Sequence, residues 1–335
     1  MRQRLLEYLS LSLFVIPVTV ICAGGIWPAA VRAESDGVSE VTIAEYGEYL
    51  LYAPLYIAAE NGAFAAEGLH VKIVPAGGDE KVFAALLSGS AQFGISDPTF
   101  TAISGERGRP GRVIAAILQD VPAWGVTKKN ISAIGSASAL RGLSVATYPA
   151  PSTSYSLQKR MFSIGGIAPP SIVQIAYGSL LAALASGRVD VALENEPNVS
   201  LAETQGAHRI YALHDYFPDF AFTGLMVLPE YVNAHSDTAE KIVRALLRGA
   251  GILFSDREKA VAILGKRFPE LPQPVISKAL EQTAAIGAFS RDGVFKKSAW
   301  NNAVRLRREL GDLKNEARFE EYVDLRFVEE RRAKQ

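Results

Sequence analysis

The segment AALLSGSAQFGISDP at residues 84–98 recurs as AALASGRVDVALENE at residues 182–196. Both copies contain Ala-Ala-Leu followed by Ser-Gly, and in both a short apolar run then ends in polar residues. This pattern predicts the end of an amphipathic helix, a glycine after it, and a short buried strand. Because ligands bind beyond the carboxyl ends of strands in α/β sheets, the two copies predict two lobes that face one cleft.

Length and charge limit the kind of protein that this chain can form. The chain has 335 residues, of which 49% are hydrophobic, and this is enough for two domains with substantial cores. Its 35 basic and 35 acidic side chains balance. The composition therefore does not favour nucleic acid or an anionic membrane surface as a partner.

Residues 1–33 have the pattern of a secretory signal peptide. Arg2 and Arg4 provide the positive start, an apolar run follows at residues 9–26, and Ala33 lies at the expected cleavage site. An uncleaved membrane anchor is the alternative, but the apolar run is short for a membrane span and is interrupted by a proline. We expect cleavage after Ala33 and a mature protein in the periplasm.

The cysteine and histidine content argues against a metal centre or a cofactor. Cys22 is the single cysteine and lies inside the predicted signal peptide, so the mature chain would have none. Disulfides, a thiolate nucleophile and a cysteine-ligated metal are then excluded. The four histidines do not have metal-ligand spacing: His70, His208, His214 and His235. We expect neither a cofactor nor a metal.

After the predicted signal peptide, strand and helix patterns alternate. Residues 41–118 predict a β-α-β-α-β-α-β order, which is typical of a mostly parallel sheet with crossover helices, and residues 143–213 repeat it. Strand patterns at 124–128 and 221–228 would carry the chain out of the first lobe and back. The predicted division is the first part of lobe 1 at 34–130, lobe 2 at 131–220, and the return strand with C-terminal helices packed on lobe 1 at 221–335.

Three loops place small polar residues just before predicted helices. Free N–H groups at helix N-termini bind anions, and nearby hydroxyl groups donate to a sulfonate or a carboxylate. The alternative is simple helix capping, and Asp79 is the predicted N-cap of its helix. The candidate ligand-binding residues in these loops are Gly78, Asp79, Ser96, Asp97, Thr99, Ser152, Thr153 and the neighbouring Ser154.

Aromatic side chains occupy loops after or between the predicted strands. Tyr46, Tyr49, Trp124 and Tyr148 are candidates to stack on a flat ligand while offering a polar edge to it. Packing between the two lobes is the alternative, above all for Trp124.

Four segments, taken in order, resemble solute-binding proteins of bacterial ABC importers, in the group that binds nitrate, bicarbonate, sulfonates, taurine or thiamine precursors. They are YAPLYIA with NGAF and EGL at 52–69, ALLSG with QFG at 85–94, LRGLSVA at 140–146, and AAL with SGRVDVA at 182–192. The resemblance implies the type II periplasmic binding protein fold: two α/β lobes, joined by two crossing strands, close over a ligand. It also implies an ABC permease as partner and a monomeric protein.

Glu194 and Glu196 follow the second repeated strand and indicate the charge of the ligand. Two carboxylates at this place would repel an anion, and they would suit a cation or accept hydrogen bonds from ligand N–H groups. They favour a nitrogen-containing organic ligand over nitrate or bicarbonate, with Glu194 as the acceptor. The alternative is that these side chains are exposed or cap the helix predicted at Pro197.

Three functional hypotheses follow. The first is a periplasmic protein that captures a small organic solute, such as a pyrimidine-like heterocycle or an amino- or alkanesulfonate, by hinge closure and delivers it to the permease. The second is a pyrimidine-synthesis-type enzyme on the same fold, but that class uses a cysteine-rich iron motif that a cysteine-free mature chain lacks. The third is a sensor-associated binding protein. The charged stretch at residues 305–332 is predicted to form a solvated helix face.

Overall fold

The structure is a computed structural model that describes residues 39–168 and 172–333. These residues form a mixed α/β arrangement. The predicted signal peptide at residues 1–33 lies outside the described residues. Across the part of the chain that is described, no helix combines the length and the apolar character needed to cross a membrane.

Strands from the described residues build two five-stranded sheets. They are β1 (Ser39–Glu45), β2 (Leu69–Pro75), β3 (Phe93–Ser96), β4 (Arg112–Leu118), β5 (Ala123–Thr127), β6 (Val145–Thr147), β7 (Ile172–Gln174), β8 (Val191–Asn195), β9 (His208–Ala212) and β10 (Thr223–Val227). The first sheet has the order β2-β1-β3-β10-β4, and the second has the order β7-β6-β8-β5-β9.

The two sheets have the same topology. In the first sheet β1 is parallel to β2 and β3, and β10 is antiparallel to β3 and β4. In the second sheet β6 is parallel to β7 and β8, and β5 is antiparallel to β8 and β9. Thus β5 leaves the first half of the chain to join the second sheet, and β10 returns to the first. These are the two crossing strands that were expected, while the domain limits at 130 and 220 stay a prediction.

The helices connect these strands and then form the C-terminal part. They are α1 (Ala53–Glu60), α2 (Asp79–Ser88), α3 (Phe100–Gly105), α4 (Thr153–Ile164), α5 (Leu180–Ala185), α6 (Asn198–Thr204), α7 (Leu213–Tyr216), α8 (Pro229–Ala234), α9 (Ser236–Ser255), α10 (Arg257–Arg267), α11 (Gln273–Ala285), α12 (Lys297–Glu309), α13 (Phe319–Tyr322) and α14 (Arg326–Ala333). Short 3-10 helices lie at Leu50–Tyr52, Ala65–Glu67 and Ala137–Leu140.

The repeated segments have the predicted structure. In the first copy α2 ends before Gly89, and in the second α5 ends before Gly187. Both glycines have positive φ angles, 75° and 71°, which side chains with a Cβ rarely adopt. Each glycine is followed by a buried strand, β3 or β8, so the two copies occupy equivalent places in the two sheets.

Gly94 in β3 shows why the first copy packs closely. A Cβ atom at this position would lie 2.8 Å from Cγ1 of Val82 on α2, which is closer than two carbon atoms can approach. The absent side chain therefore lets α2 lie directly on β3. The first residue of α2, Asp79, also accepts a hydrogen bond from the N–H of Asp97, just beyond the polar end of β3.

The C-terminal helices pack against elements of both halves of the protein. α9 packs against α1 and α14 against β4, as expected for helices on the first lobe. α11 also packs against α6, and α12 against α4, which are helices between strands of the second sheet. The C-terminal part thus lies against both halves of the protein.

The prediction of a solvated helix face at residues 305–332 is wrong for Arg307, whose side chain is only 1% exposed. Trp300, Ala303, Val304 and Arg307 have the spacing i, i+3, i+4 and i+7, so they share the buried face of α12. The neighbouring Arg308 lies on the exposed face.

Candidate functional site

A small cavity lies where the carboxyl ends of strands from both sheets meet. Its free volume is about 40 Å³. A cavity that holds benzene has a volume of about 150 Å³, so a ring-sized ligand enters only if side chains move or the two sheets separate. The lining residues are Tyr46, Tyr49, Leu51, Tyr52, Asp79, Asp97, Tyr148, Ser152, Thr153, Ser154, Asn195, Phe222 and Thr223.

The structure brings together one part of the predicted site and separates another. The predicted residues that line the cavity are Tyr46, Tyr49, Asp79, Asp97, Tyr148, Ser152 and Thr153. The predicted residues that do not line it are Gly78, Ser96, Thr99, Trp124, Glu194 and Glu196. Sequence reasoning missed Leu51, Tyr52, Asn195, Phe222 and Thr223.

Tyrosine rings form most of the apolar wall. The ring centroids of Tyr49 and Tyr148 are 6.3 Å apart, and that of Tyr46 is 5.7 Å from Tyr49 and 6.5 Å from Tyr148. Tyr52 adds a ring 5.8 Å from Tyr49. Tyr46 and Tyr49 follow β1 and Tyr148 follows β6, so the wall is contributed by both sheets.

Tyr177 lies at the outer side of this wall. It follows β7, its ring centroid is 4.5 Å from that of Tyr49, and it is 43% exposed. Its hydroxyl donates a hydrogen bond of 2.9 Å to the backbone oxygen of Glu48, which belongs to the loop after β1. Tyr177 therefore connects the two halves at the solvent side of the tyrosine wall.

Two buried carboxylates face the tyrosine wall. Asp79 is the first residue of α2 and not its N-cap as predicted, since Gly78 occupies that position without a side-chain cap. Its Oδ1 instead accepts a hydrogen bond of 3.0 Å from the backbone N–H of Asp97. Burial, with a smaller contribution from the negative charge of Asp97, raises the pKa of Asp79 to about 7.

Asp97 is held by residues from three parts of the chain. Its Oδ1 accepts hydrogen bonds from the backbone N–H of Thr99 at 2.8 Å and from the Thr99 hydroxyl at 2.6 Å. Its Oδ2 accepts from the hydroxyl of Thr153, at the start of α4, and from Nη2 of Arg307 at 2.7 Å. Thr99 thus orients a cavity residue without lining the cavity itself.

Arg307 is a buried cation behind the cavity that sequence reasoning assigned to the solvent. Besides Asp97, its guanidinium donates to Ser156 Oγ at 2.8 Å, to Asp312 Oδ2 at 2.9 Å and to the backbone oxygen of Pro151 at 3.2 Å. The apolar spacing of α12 places Arg307 on the buried face, and this is the signal that could have found it.

Glu194 acts on the site through Tyr148. Its Oε2 accepts hydrogen bonds from the Tyr148 hydroxyl at 2.7 Å and from Nδ2 of Asn198 at 3.1 Å. Burial raises the pKa of Glu194 to about 7, although these hydrogen bonds favour its charged form. The carboxylate therefore fixes the ring of a cavity residue.

Glu196 has the structural role that was the alternative. Its carboxylate accepts from the backbone N–H and the hydroxyl of Ser200, both at 3.0 Å, and from Arg209 at 2.9 Å. It thereby caps α6. The Arg209 guanidinium also lies 4.8 Å from the ring centroid of Trp124, which belongs to β5 in the second sheet and does not line the cavity.

Asn195 lines the cavity because side chains alternate along a strand. Glu194 and Glu196 share one face of the chain at the end of β8, and Asn195 points to the other. The repeat aligns Asn195 with Asp97, and this is the signal that could have found it. Its Oδ1 is buried and has no hydrogen-bond partner among the described residues.

Gly78 and Ser96 are the remaining two of the six predicted residues that do not line the cavity. Gly78 precedes α2, and a Cβ atom there would lie 2.8 Å from the carboxylate of Glu80, so the small residue leaves room for that side chain. Ser96 ends β3 with a buried hydroxyl that has no hydrogen-bond partner within the described ranges.

A metal centre was not expected. Among the described residues, no group of three or more His, Cys, Asp or Glu side chains is arranged to hold a metal ion.

Known proteins resemble this chain over most of its length. YtlA of Bacillus subtilis is 22% identical over 320 residues, which are 92% of this chain and 95% of that protein. The riboflavin-binding protein RibY of Chloroflexus aurantiacus is 24% identical over 338 residues, which are 91% of this chain and 93% of that protein.

Solved structures show the same fold. The ligand-binding component of an ABC-type import system from Staphylococcus aureus, solved with zinc bound, has a TM-score of 0.69 at 16% identity. The likeness covers 87% of this chain and 98% of that one. Periplasmic sulphonate- and nitrate-binding proteins share the fold, with TM-scores of 0.62 and 0.61. The expected periplasmic binding protein fold is confirmed.

A family model described as NMT1/THI5 like matches residues 51–260. The match includes most of both sheets and all of the lining residues except Tyr46 and Tyr49. The protein belongs to the NMT1/THI5-like family, as the resemblance of its sequence segments indicated.

Proposed function

We propose that the protein is a periplasmic solute-binding protein of an ABC importer, and that it captures a small nitrogen-containing organic solute and delivers it to the permease. The family, the secretory pattern of residues 1–33 and the fold shared with a ligand-binding component of an ABC-type import system support this function. We also infer that the protein binds the solute without converting it and acts as a monomer.

The composition of the cavity carries the proposal. Tyrosine rings form its walls, two carboxylates face it, and none of the described lining residues is Lys, Arg or His. Asp97 is paired with Arg307, whereas Asp79 has no cation of its own, so an anion would be repelled once Asp79 is charged, and ligand N–H groups would find an acceptor. Aromatic walls with a few placed polar groups are typical of sites for flat organic ligands.

Hinge closure is the proposed mechanism of capture. Asp120 joins the two crossing segments, because its carboxylate accepts from the N–H of Asp219 at 3.2 Å, and it also accepts from the N–H of the adjacent Val121 at 2.7 Å. Rotation about these segments would break the hydrogen bonds across the cleft, from Thr153 to Asp97 and from Tyr177 to Glu48. Lobes at 34–130 with 221–335, and at 131–220, would move as the two bodies.

A flat heterocycle is the favoured ligand, such as a pyrimidine. The 24% identical relative is named as a riboflavin-binding protein, which supports a ring system that contains nitrogen. An amino- or alkanesulfonate is the second candidate, because Ser152, Thr153 and Ser154 at the N-terminus of α4 line the cavity.

Native mass spectrometry of the protein purified from its own host's periplasm tests the proposal. The expected result is a bound mass that matches a nitrogen heterocycle and stays unchanged on incubation with the protein. A bound sulfonate or inorganic oxyanion would contradict the heterocycle, and a chemically altered solute would contradict binding without conversion.

Small-angle scattering with and without saturating solute tests hinge closure. We expect a smaller radius of gyration with solute, and equal radii of gyration would exclude closure.

A further inference from the structure

Two of the groups that line the cavity, Asn195 and Asp79, offer acceptor oxygen atoms. Asn195 is 6% exposed, lines the cavity, and has an Oδ1 atom without a partner in the described part of the chain. Asp79 is 4% exposed and lines the same cavity from the first half of the protein. A buried acceptor without a donor is unfavourable, so a ligand that fits here brings hydrogen-bond donors.

The carboxyl group of Asp79 has no counterion of its own. The nearest buried cation is Arg307, and its guanidinium already binds the carboxylates of Asp97 and Asp312. Its remaining hydrogen bonds go to Ser156, Thr153, Thr99 and the backbone oxygen of Pro151. One positive charge thus faces three carboxyl groups, and two of these, Asp79 and Asp97, line the cavity.

The tyrosine rings also favour a positively charged ligand. Tyr46, Tyr49, Tyr52 and Tyr148 line the cavity, and the faces of aromatic rings carry partial negative charge that attracts cations. A flat cation stacks on these rings and also compensates the carboxylate. A neutral ring would gain only the stacking, and an anion would be repelled by both groups.

We infer that the solute carries a positive charge on a planar nitrogen group, as an amidinium, a guanidinium or a protonated heterocycle does, with Asp79 as its charge partner and Asn195 as a second acceptor. This inference rests on the proposed binding function and narrows its ligand class. An amidinium presents two N–H groups side by side, which match the two oxygen atoms of a carboxylate.

Three probes of one shape and three charges test the inference: benzamidinium, benzamide and benzoate. Calorimetry with the protein isolated from the periplasm and freed of bound solute is run at about pH 8, above the raised pKa of Asp79, so that most of this carboxyl group is charged while benzamidine is still protonated. Benzamidinium is expected to bind at least about tenfold more tightly than benzamide, and benzoate more weakly than both.

Asp79→Asn is the matched variant, because its amide oxygen can still accept from the N–H of Asp97 and we therefore expect the fold to be retained. We expect it to remove the preference for benzamidinium over benzamide, while Glu80→Gln, next to it on the exposed side of α2, keeps that preference. Equal or tighter binding of benzamide or benzoate would overturn the inference and leave the binding function standing. Failure of all three probes to bind would overturn it as well, and the native mass spectrum then decides the binding function separately.

Discussion

Nη2 of Arg307 donates a hydrogen bond of 2.7 Å to Oδ2 of Asp97, although the two residues are 210 positions apart. Both side chains are 1% exposed. The contact connects a C-terminal helix to the end of β3, where Asp97 also accepts from Thr153 of α4. The last quarter of the chain therefore helps to build the wall of the cavity.

Replacing Arg307 should destabilise the protein strongly. Arg307→Met leaves the carboxylate of Asp97 buried without its cation, and we expect a loss of about 3–5 kcal/mol in the free energy of unfolding. Chemical denaturation measures this loss. Arg308→Met, on the exposed face of the same helix, is the control and should change stability by less than about 0.5 kcal/mol. Similar values for both variants would contradict the assigned role of Arg307.

Glu194 should make the protein less stable as the pH rises. Its folded-state pKa of about 7 lies above the ordinary 4.5, so the folded chain retains a proton that the unfolded chain has released. Its contribution to the free energy of unfolding is on the order of 3 kcal/mol. This contribution is fully present below pH 4.5 and is lost as the pH rises through 7. Denaturation between about pH 5 and pH 8 should show a smaller fall in stability for Glu194→Gln than for the wild type.

Glu40 provides the control for this measurement, because its side chain is exposed. Glu40→Gln should keep the pH dependence of the wild type. If Glu194→Gln loses as much stability between the two pH values as the wild type does, the carboxyl group of Glu194 is ionised in the folded protein and the prediction fails.

Glu196 should affect stability and not ligand binding. Glu196→Gln removes a charged acceptor of Ser200 and Arg209, and we expect a loss of about 1.5–3 kcal/mol. The affinity for the solute recovered with the protein should stay within about twofold, since Glu196 does not line the cavity. Calorimetry and denaturation on the same sample check both statements, and a large loss of affinity at unchanged stability would return Glu196 to the site.

Tyr177 should slow the release of the solute. Tyr177→Ala removes the bond to Glu48 and the ring against Tyr49, which are contacts between the two halves of the protein. We expect the bound solute to dissociate at least about tenfold faster. Native mass spectra recorded at intervals after dilution measure this rate. Ile164→Ala is the control, because Ile164 is also a large exposed apolar residue but lies away from the cavity, and equal rates for both variants would argue against the role.

Sequence periodicity was enough to predict the alternation of strands and helices and the position of the repeat. Gly89 and Gly187 end their helices as expected, and the strands after them are buried. These features depend on neighbours within a few residues, which the sequence displays directly. The same local reasoning placed Tyr46, Tyr148 and Asp97 beyond strand ends, where they line the cavity.

Local sequence patterns were less informative for polar residues that could either cap a helix or line the cavity. Ser152 both lines the cavity and caps α4, since its Oγ accepts from the N–H of Tyr155 at 3.3 Å. The carboxylate of Glu196 accepts a hydrogen bond from Ser200 on the following helix, and Glu196 does not line the cavity. Whether such a side chain caps a helix or faces a ligand depends on its partners in space.

The sequence by itself determined the fold class, the repeated helix-glycine-strand unit and the polar character of the strand ends, because these follow from short-range periodicity and glycine conformation. Only the tertiary structure decided that Asn195 lines the cavity in place of Glu194 and Glu196, that Tyr177 reaches Glu48, and that Arg307 binds Asp97. Each of these relationships joins residues that are distant in the chain or depends on which face of a strand points inward. Such contacts arise only when the two sheets and the C-terminal helices pack together.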